Sequence, residues 1–408
     1  MRDVFVAGVG MTPFGRHLDK THSQLTQSSV REALADAGVV AGVVDMAIYA
    51  NVTQGFVAGE MSIPGEFALR PLGIEGVRAI HVEAACASAT MGFHLAFDYV
   101  RAGLADVVLV VGTEKLYSDD PARKFAVFQQ PLDILEAQRY LAATAGKLAP
   151  APPGADAPSV NALMDAYAAQ ARLHMATYGT TARQIAAVAA KNHTHSVHNP
   201  LSQYRKAMTT DEVIAARLVA WPLTVPMCAP ISDGSAAAIV CSAEAIGRLA
   251  IDRPIRVRAC SSKSGRARAP DDYARHVTRG VAAAAYEMAG IGPADVDLGE
   301  VHDASSSGEI VQIEALGLCA AGGGGPGAER GDFSIGGRVP VNPSGGLVSK
   351  GHPLGATGLA QIHELVAQLR GDAAGRQVAG ARIAIAENSG GFYGVEDGMS
   401  CVSILSRD

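Results

Sequence analysis

Hydrophobic positions along the chain come in short, dense runs rather than long amphipathic stripes. "VVLVV" (Val107–Val111) and "RIAIA" (Arg382–Ala386) are almost continuously apolar, as expected of strands covered on both faces. The opening "MRDVFVAGVGMTPFG" reads as a strand that stops at a Gly/Pro turn. The segments between such runs are rich in alanine and glycine, which favours helices packed closely on a sheet. One of these, "VEAACASATMGFHLAF", places Cys86 among Ala84, Ala85, Ala87, Ser88 and Ala89, just before a buried helix. The pattern predicts an α/β protein with a largely covered sheet.

The same pattern occurs twice. "EALADAGVVAGVVDMAIYANV" (Glu32–Val52) aligns without gaps on "AAYEMAGIGPADVDLGEVHDA" (Ala284–Ala304). Each reads as helix, Ala-Gly C-cap, short loop, aspartate and buried strand. Downstream, "CASATMG" at Cys86 pairs with "HPLGATG" at His352, and "ADVVLVVGTE" (Ala105–Glu114) with "ARIAIAENSG" (Ala381–Gly390). Three matches in one order predict two duplicated halves. The first covers residues 1–115 and resumes over 215–250; the second covers 251–408. Residues 116–214 have no counterpart and are expected to form an inserted loop or lid domain. They contain the Pro-rich "LAPAPPGADAP" and the helix "MDAYAAQARLHMATYG".

Composition narrows the function. With 48% apolar and 18% charged residues over 408 positions, the chain can bury a large core. A net charge of −6 argues against nucleic acid or an anionic membrane as partner. No run is apolar for long enough to span a bilayer, and the N-terminus does not read as a secretion signal. The six cysteines (Cys86, Cys228, Cys241, Cys260, Cys319, Cys401) form no CxxC pair, which predicts a reducing, cytoplasmic setting without a cysteine metal site. Five of them are expected to pack in or beside the core.

Duplication gives Cys86 a chemical context. Cys86 and His352 occupy equivalent strand-to-helix turns, and a pseudo-twofold axis would bring them face to face. A thiol at a helix start beside a histidine makes an activated nucleophile.

Taken with the motifs "EAACASAT", "VHDASSSGEI", "NPSGGLVSKGHPLGATG" and "AENSGGFYG", the chain resembles the thiolase superfamily over essentially its full length. The His-Asp pair in the third motif is similar to that of sterol-carrier-protein-type and archaeal thiolases. The resemblance implies a five-layer αβαβα fold with an inserted loop domain, assembled as a homodimer or a dimer of dimers. It implies acyl transfer on coenzyme A thioesters, with no permanently bound cofactor. Cys86 would carry the acyl group and His352 would activate its thiol. His302 would orient a water or a substrate carbonyl. The N–H groups of Cys86 and Gly390 would form an oxyanion hole. The expected reaction is Claisen condensation or thiolytic cleavage of a 3-oxoacyl-CoA. The alternative is a C-acyltransferase or retro-Claisen subunit of specialised, aromatic or steroid metabolism, paired with a small zinc-ribbon/OB-fold protein.

One departure stands out. Relatives that make or break a carbon–carbon bond carry a second cysteine, either where this chain has Asn388 or where it has Ala304. The proton carrier at the α-carbon is left open among His302, His352, Glu387, Glu309 and a water. Other features read as scaffold. His193, His195 and His198 in "KNHTHSVHNP" lack a neighbouring carboxylate or cysteine. "AAGGGGPGAERG" lacks the context of a phosphate loop and is expected to be a flexible surface connection. Arg123, Lys124, Lys147, Arg172, Arg205 and Lys206 of the insertion are candidates for contact with coenzyme A phosphates, but each taken singly is expected to be a solvated surface charge.

Overall fold

β1 (Val4–Met11) sits at the centre of the molecule, and the first half builds outward from it. The computed structural model describes residues 1–118, 120, 131–155 and 162–407. After β1 come α1 (His22–Ala37), β2 (Met46–Ala50), β3 (Arg78–Val82), α2 (Ser88–Arg101) and β4 (Val107–Glu114). Three longer helices follow: α3 (Pro131–Thr144), α4 (Ala162–Tyr178) and α5 (Ala182–His195). β5 (Leu218–Ala220) and β6 (Leu223–Thr224) pair as a separate ribbon. β7 (Gly234–Ser242) then returns between β4 and β1. The second half runs β8 (Ile255–Ser264), α6 (Val277–Ala289), β9 (Leu298–Glu300), α7 (Ser306–Ala315), α8 (Thr357–Arg370), β10 (Ile383–Tyr393) and β11 (Glu396–Ser406).

The strand order β3-β2-β4-β7-β1-β8-β11-β10-β9 is the same topology written twice. β2 and β4 pair in parallel, as do β9 and β10; β4–β7–β1 and β10–β11–β8 are antiparallel. The halves meet where Val4–Val6 runs antiparallel to Ile255–Val257. A parallel bridge between Gly299 and Val341 stands where β3 stands in the first half. The expected caps are present: α1 and α6 end at Gly38 (φ 68°) and Gly290 (φ 67°), a left-handed conformation that glycine adopts without Cβ strain.

Three apolar cores make five layers. Val30, Ala33 and Leu34 of α1 pack with Leu109, Val111 and Ile239 on one outer face. Phe93 and Phe97 of α2 and Leu359, Ile362 and Val366 of α8 share the middle core with both half-sheets. Val281 and Ala285 of α6 and Ile310 and Ile313 of α7 cover the far face, joined by Ile185 and Val188 of α5. Within the middle layer α2 and α8 cross at Gly358, where an added Cβ would lie 1.9 Å from Thr90 Oγ1. That close crossing brings the starts of the two helices together.

One expectation is corrected. "AAGGGGPGAERG" is no flexible surface connection: Gly324–Arg330 is a two-turn helix with Gly324, Gly325 and Gly327 buried. The glycines are there for contact, since a Cβ on Gly327 would stand 2.6 Å from the Phe333 ring and one on Gly325 2.8 Å from Gln184 Oε1. Glycine count alone carries no information on the surroundings that would fill the space of a side chain. Among the described residues, no helix is long and apolar enough to cross a membrane.

Candidate active site

Cys86 sits in the turn between β3 and α2, two residues ahead of the first residue of α2. Ala85 before it takes φ 49°, a left-handed backbone that thrusts the thiol out of the turn. The turn is tied down on both sides. The Ser88 hydroxyl accepts from Ala84 N (2.8 Å) and donates to Ala85 O (2.6 Å). Asn388 Nδ2 donates to Cys86 O and to Thr90 Oγ1, each at 3.0 Å. The small alanines leave room for close approach: Gly390 packs so tightly that a Cβ there would lie 2.3 Å from Ala84 O.

His352 Nε2 stands 3.2 Å from Cys86 Sγ. Its tautomer follows from its other nitrogen. Thr357 Oγ1 donates to Pro353 O (3.0 Å), so it accepts from His352 Nδ1–H at 2.7 Å. The lone pair therefore lies on Nε2 and faces the thiol. Burial, the neighbouring His302 and Lys350 all hold the His352 pKa well below the ordinary histidine value, so the ring is neutral and able to accept a proton. Thr357 was not singled out from the sequence, although it lies five residues on in the same "GHPLGATG" motif.

His302 packs edge to face on His352 with ring centroids 5.3 Å apart. One ligand-type atom each from Cys86, His302 and His352 lie within 4.8 Å of one another. Burial pulls the His302 pKa down to about 4, while the Asp397 carboxylate acts in the opposite sense. Asp303 turns the other way and accepts from Leu347 N (2.6 Å) and Asn192 Nδ2 (2.8 Å). The His-Asp pair thus delivers the imidazole and anchors the scaffold behind it.

Cys86 and His352 border an apolar cavity of about 300 Å³, and His302 borders the small chamber beside it. Val52, Ile231 and Leu354 form part of its wall, and Leu163, Met164 and Tyr167 of α4 reach it from the opposite side. Tyr167 stacks on Phe392 of the β10–β11 hairpin at 5.1 Å. Ala304 and Gly391 lie on the cavity wall and also border a small polar chamber beside it. Gly390 borders that chamber as well.

The remaining candidates lie elsewhere. Glu309 is buried against Lys191 (3.0 Å) and accepts from Asn192 and Asn342, so it holds scaffold together. Glu387 is fully buried behind the site, accepting from His302 N (3.0 Å) and Ser389 Oγ (2.6 Å), and burial pushes its pKa up to about 8. Cys228 Sγ approaches Thr224 O at 3.6 Å, and burial raises its pKa to about 12. It is packing, as expected. His193 contacts Pro226 O and Ser349 Oγ, and His195 joins Asn342 O to Ile335 N. These two tie α5 to the second half. Lys147 pairs with Asp271, and Arg172 and Arg205 donate to backbone carbonyls. Arg123 and Lys124 lie outside the described residues.

With this geometry established, comparison with known proteins decides the family. Residues 4–244 match "Thiolase, N-terminal domain" and residues 259–407 match "Thiolase C-terminal domain-like". The chain belongs to the thiolase family. It is 37% identical to an acetyl-CoA acetyltransferase of Methanothermobacter thermautotrophicus over the whole of both chains. It is 36% identical to human sterol carrier protein 2, covering 96% of this chain and 70% of that protein. With the benzoylsuccinyl-CoA thiolase subunit BbsB of Thauera aromatica it shares 35%, covering 96% and 95%. Two solved structures share the fold. The Ltp2-ChsH2(DUF35) aldolase has a TM-score of 0.76 at 23% identity, covering 100% of this chain and 98% of that one. Human mitochondrial 3-ketoacyl-CoA thiolase in complex with CoA has a TM-score of 0.70 at 18% identity, covering 100% and 98%. The protein is thus a thiolase-like acyltransferase, and the five-layer duplicated fold read from its sequence is the thiolase fold.

Proposed function

We propose that this thiolase transfers acyl groups between coenzyme A thioesters through an acyl-enzyme on Cys86, condensing acyl-CoAs or cleaving a 3-oxoacyl-CoA. One observation carries the reading: Cys86 Sγ lies 3.2 Å from the unprotonated nitrogen of His352, whose other nitrogen Thr357 fixes. His352 takes the thiol proton as Cys86 attacks the thioester carbonyl, and returns it when coenzyme A leaves. The start of α2 favours the thiolate, and the N–H groups of Cys86 and Gly390 receive the developing oxyanion. His302 faces the second thioester. The described part of residues 116–214 acts as the lid, with α4 over the apolar cavity holding the acyl chain; residues 119, 121–130 and 156–161 of that span lie outside the described residues. No permanently bound cofactor enters the scheme.

The assembly we propose is a homodimer, or a dimer of two such pairs. β3 is an edge strand exposed at Arg78, Ala79 and His81, and Met61, Ile63 and Phe67 are solvent-exposed close by in sequence. Six cysteines without a disulfide suit a cytoplasmic setting.

Intact-mass measurement after exposure to a panel of acyl-CoAs, followed by peptide mapping, tests the reading. An acyl adduct on Cys86 is expected. Label on Cys228 or Cys319 with Cys86 unmodified would overturn it. The likeness to the Ltp2-ChsH2(DUF35) aldolase favours a second reading, a retro-Claisen subunit that depends on a small zinc-ribbon/OB-fold partner. Full turnover by the purified chain alone would exclude that dependence.

A further inference from the structure

The polar chamber beside the cavity belongs to no role assigned so far. Its volume is about 20 Å³, room for one water and little more. Tyr167, Gln170, His302, Gln312, Ser389 and Asp397 are on its wall. Three buried atoms of these residues lack a hydrogen-bond partner: His302 Nε2, Gln312 Oε1 and Gln170 Oε1. His302 and Gln312 are 8% and 3% exposed. Leaving several such groups unsatisfied is costly, so a small molecule able both to donate and to accept is called for. Water fits that description.

Asp397 supplies the charge. Its Oδ2 accepts from Gln312 Nε2 at 2.9 Å, and Gln312 Nε2 also reaches Ser389 Oγ at 3.3 Å. On the far side His276 Nε2 lies 3.7 Å from the same oxygen and 3.3 Å from Glu396. This His276–Glu396–Asp397 cluster is not arranged for a metal. His276 Nδ1 accepts from Thr278 N, so Nε2 carries the proton and donates toward the carboxylates, while Arg268 neutralises Glu396. Asp397 therefore faces the chamber as a carboxylate held in place by Gln312.

The chamber adjoins the cavity of Cys86 at Ala304, the position at which the resemblance to sterol-carrier-type thiolases implies a second thiol. A methyl group in place of a thiol leaves that junction short of one acid/base group and bordered by both spaces.

We propose that a water in this chamber, oriented by His302 and Gln312 and served by Asp397, replaces the missing thiol as acid and base at the substrate α-carbon. The inference rests on the acyl transfer proposed above. In condensation the α-C–H bond of the second acyl-CoA breaks and its proton passes to the water, which releases one of its own to the Asp397 carboxylate. The enolate carbon then bonds to the acyl carbon on Cys86, and the Cys86 sulfur leaves as thiolate. Cleavage runs the same steps backwards: the Cys86 thiolate attacks the 3-oxo carbon, and the water protonates the departing enolate with the proton from Asp397. Asp397 acts through the water and is a positioning residue and proton reservoir. Glu387 and Glu309 take no part.

The test separates α-proton exchange from acylation. Wild type and Asp397→Asn are incubated in D2O with acetyl-CoA and with each acyl-CoA that labels Cys86, and α-deuterium is read by mass spectrometry. Acylation of Cys86 is followed in the same samples. Asp397→Asn is expected to lower exchange roughly a hundredfold, the usual scale for loss of a general base, with acylation within about twofold of wild type. Adding Ala304→Cys to Asp397→Asn should restore exchange, because a thiol at the junction bypasses the chamber; a merely structural defect would not be repaired in this way. Exchange in Asp397→Asn within about threefold of wild type overturns the proposal, as does absence of exchange in wild type. Should Asp397→Asn not fold, Gln312→Leu decides: exchange lost about tenfold or more with acylation intact supports it, and unchanged exchange overturns it. Absence of acylation on Cys86 in wild type would instead strike the proposed function, so the two failures are distinguishable.

Discussion

Thr357 determines which nitrogen of His352 is free, and the proposed acylation of Cys86 depends on that choice. Its hydroxyl is committed to Pro353 O, so it receives the Nδ1 proton and leaves Nε2 bare toward Cys86. Thr357→Val removes the acceptor, lets the ring adopt the other tautomer, and should slow Cys86 acylation about tenfold in stopped-flow or quenched-flow assays. His352→Ala should slow it by about a hundredfold or more. His302→Ala should impair carbon–carbon chemistry more than acylation, because His302 faces the second thioester in the proposed scheme; equal losses in the two mutants would refute this division of roles. Because burial holds the His352 pKa well below 6.5, acylation should show no fall with an apparent pKa near 6.5. At this scale the sequence was already informative: Cys86, His302 and His352 lie within 4.8 Å of one another, as their motifs implied. Asn388 was legible only as a missing thiol. The fold gives it a task, bracing the carbonyl of Cys86, that depends on a neighbour 302 positions away.

At the level of elements, the crossing of α2 and α8 sets the distance between thiol and imidazole. Gly358 is the contact point, against Thr90 Oγ1 and Thr90 N, and Asn388 Nδ2 lies 2.8 Å from where a Cβ would be. Gly358→Ala forces the helices apart. It should destabilise the protein by about 1–3 kcal/mol through overpacking and slow acylation as Sγ and Nε2 separate. Thermal unfolding and adduct formation, measured on one preparation, check both. A stable variant with normal acylation would show that the crossing has slack. The repeat made this crossing foreseeable, since it put Cys86 and His352 in equivalent turns. Its tightness was not, because the glycine in one helix and the threonine in the other have no local signature of contact. The buried glycine helix at Gly324–Arg330 was misread for the same reason.

Across the whole molecule, buried neutral histidines set the response to acid. Burial depresses His22, His302 and His363 to about 4, and His94 and His195 to about 3, from 6.5. Each folded pKa lies below its unfolded value, so the unfolded chain binds more protons in the interval between them. The stability these groups give is full above pH 6.5 and is lost as pH falls toward 4 and 3. Glu387, raised to about 8, works the other way, since its contribution is lost as pH rises from 4.5 toward 8. Burial raises the pKa of Glu32, Asp98, Glu114, Asp303 and Glu364 as well, and it lowers His193, His276 and His352 besides the five histidines above. Eight lowered histidines against six raised carboxyls lead us to expect a net fall in melting temperature from pH 6.5 to pH 4 in a buffer series at constant ionic strength. A flat profile would contradict the burial of these rings. Assembly is a second test at this scale: Ile80→Pro on the β3 edge should turn a dimer into a monomer in analytical ultracentrifugation, and wild-type protein sedimenting as a monomer would refute the proposed dimer.

The sequence by itself determined the duplication, the strand and helix types, the turn that holds Cys86 and the family. These depend on local patterns and motifs of at most about twenty residues, which adjacent positions encode directly. Only the tertiary structure decided the tautomer of His352, the bracing by Asn388 and the polar chamber at Ala304. Gln170 of α4, Gln312 of α7 and Asp397 of β11 share that chamber because three separate elements converge on it. No local pattern records such convergence, for it is set by how packed layers bring side chains together from far along the chain.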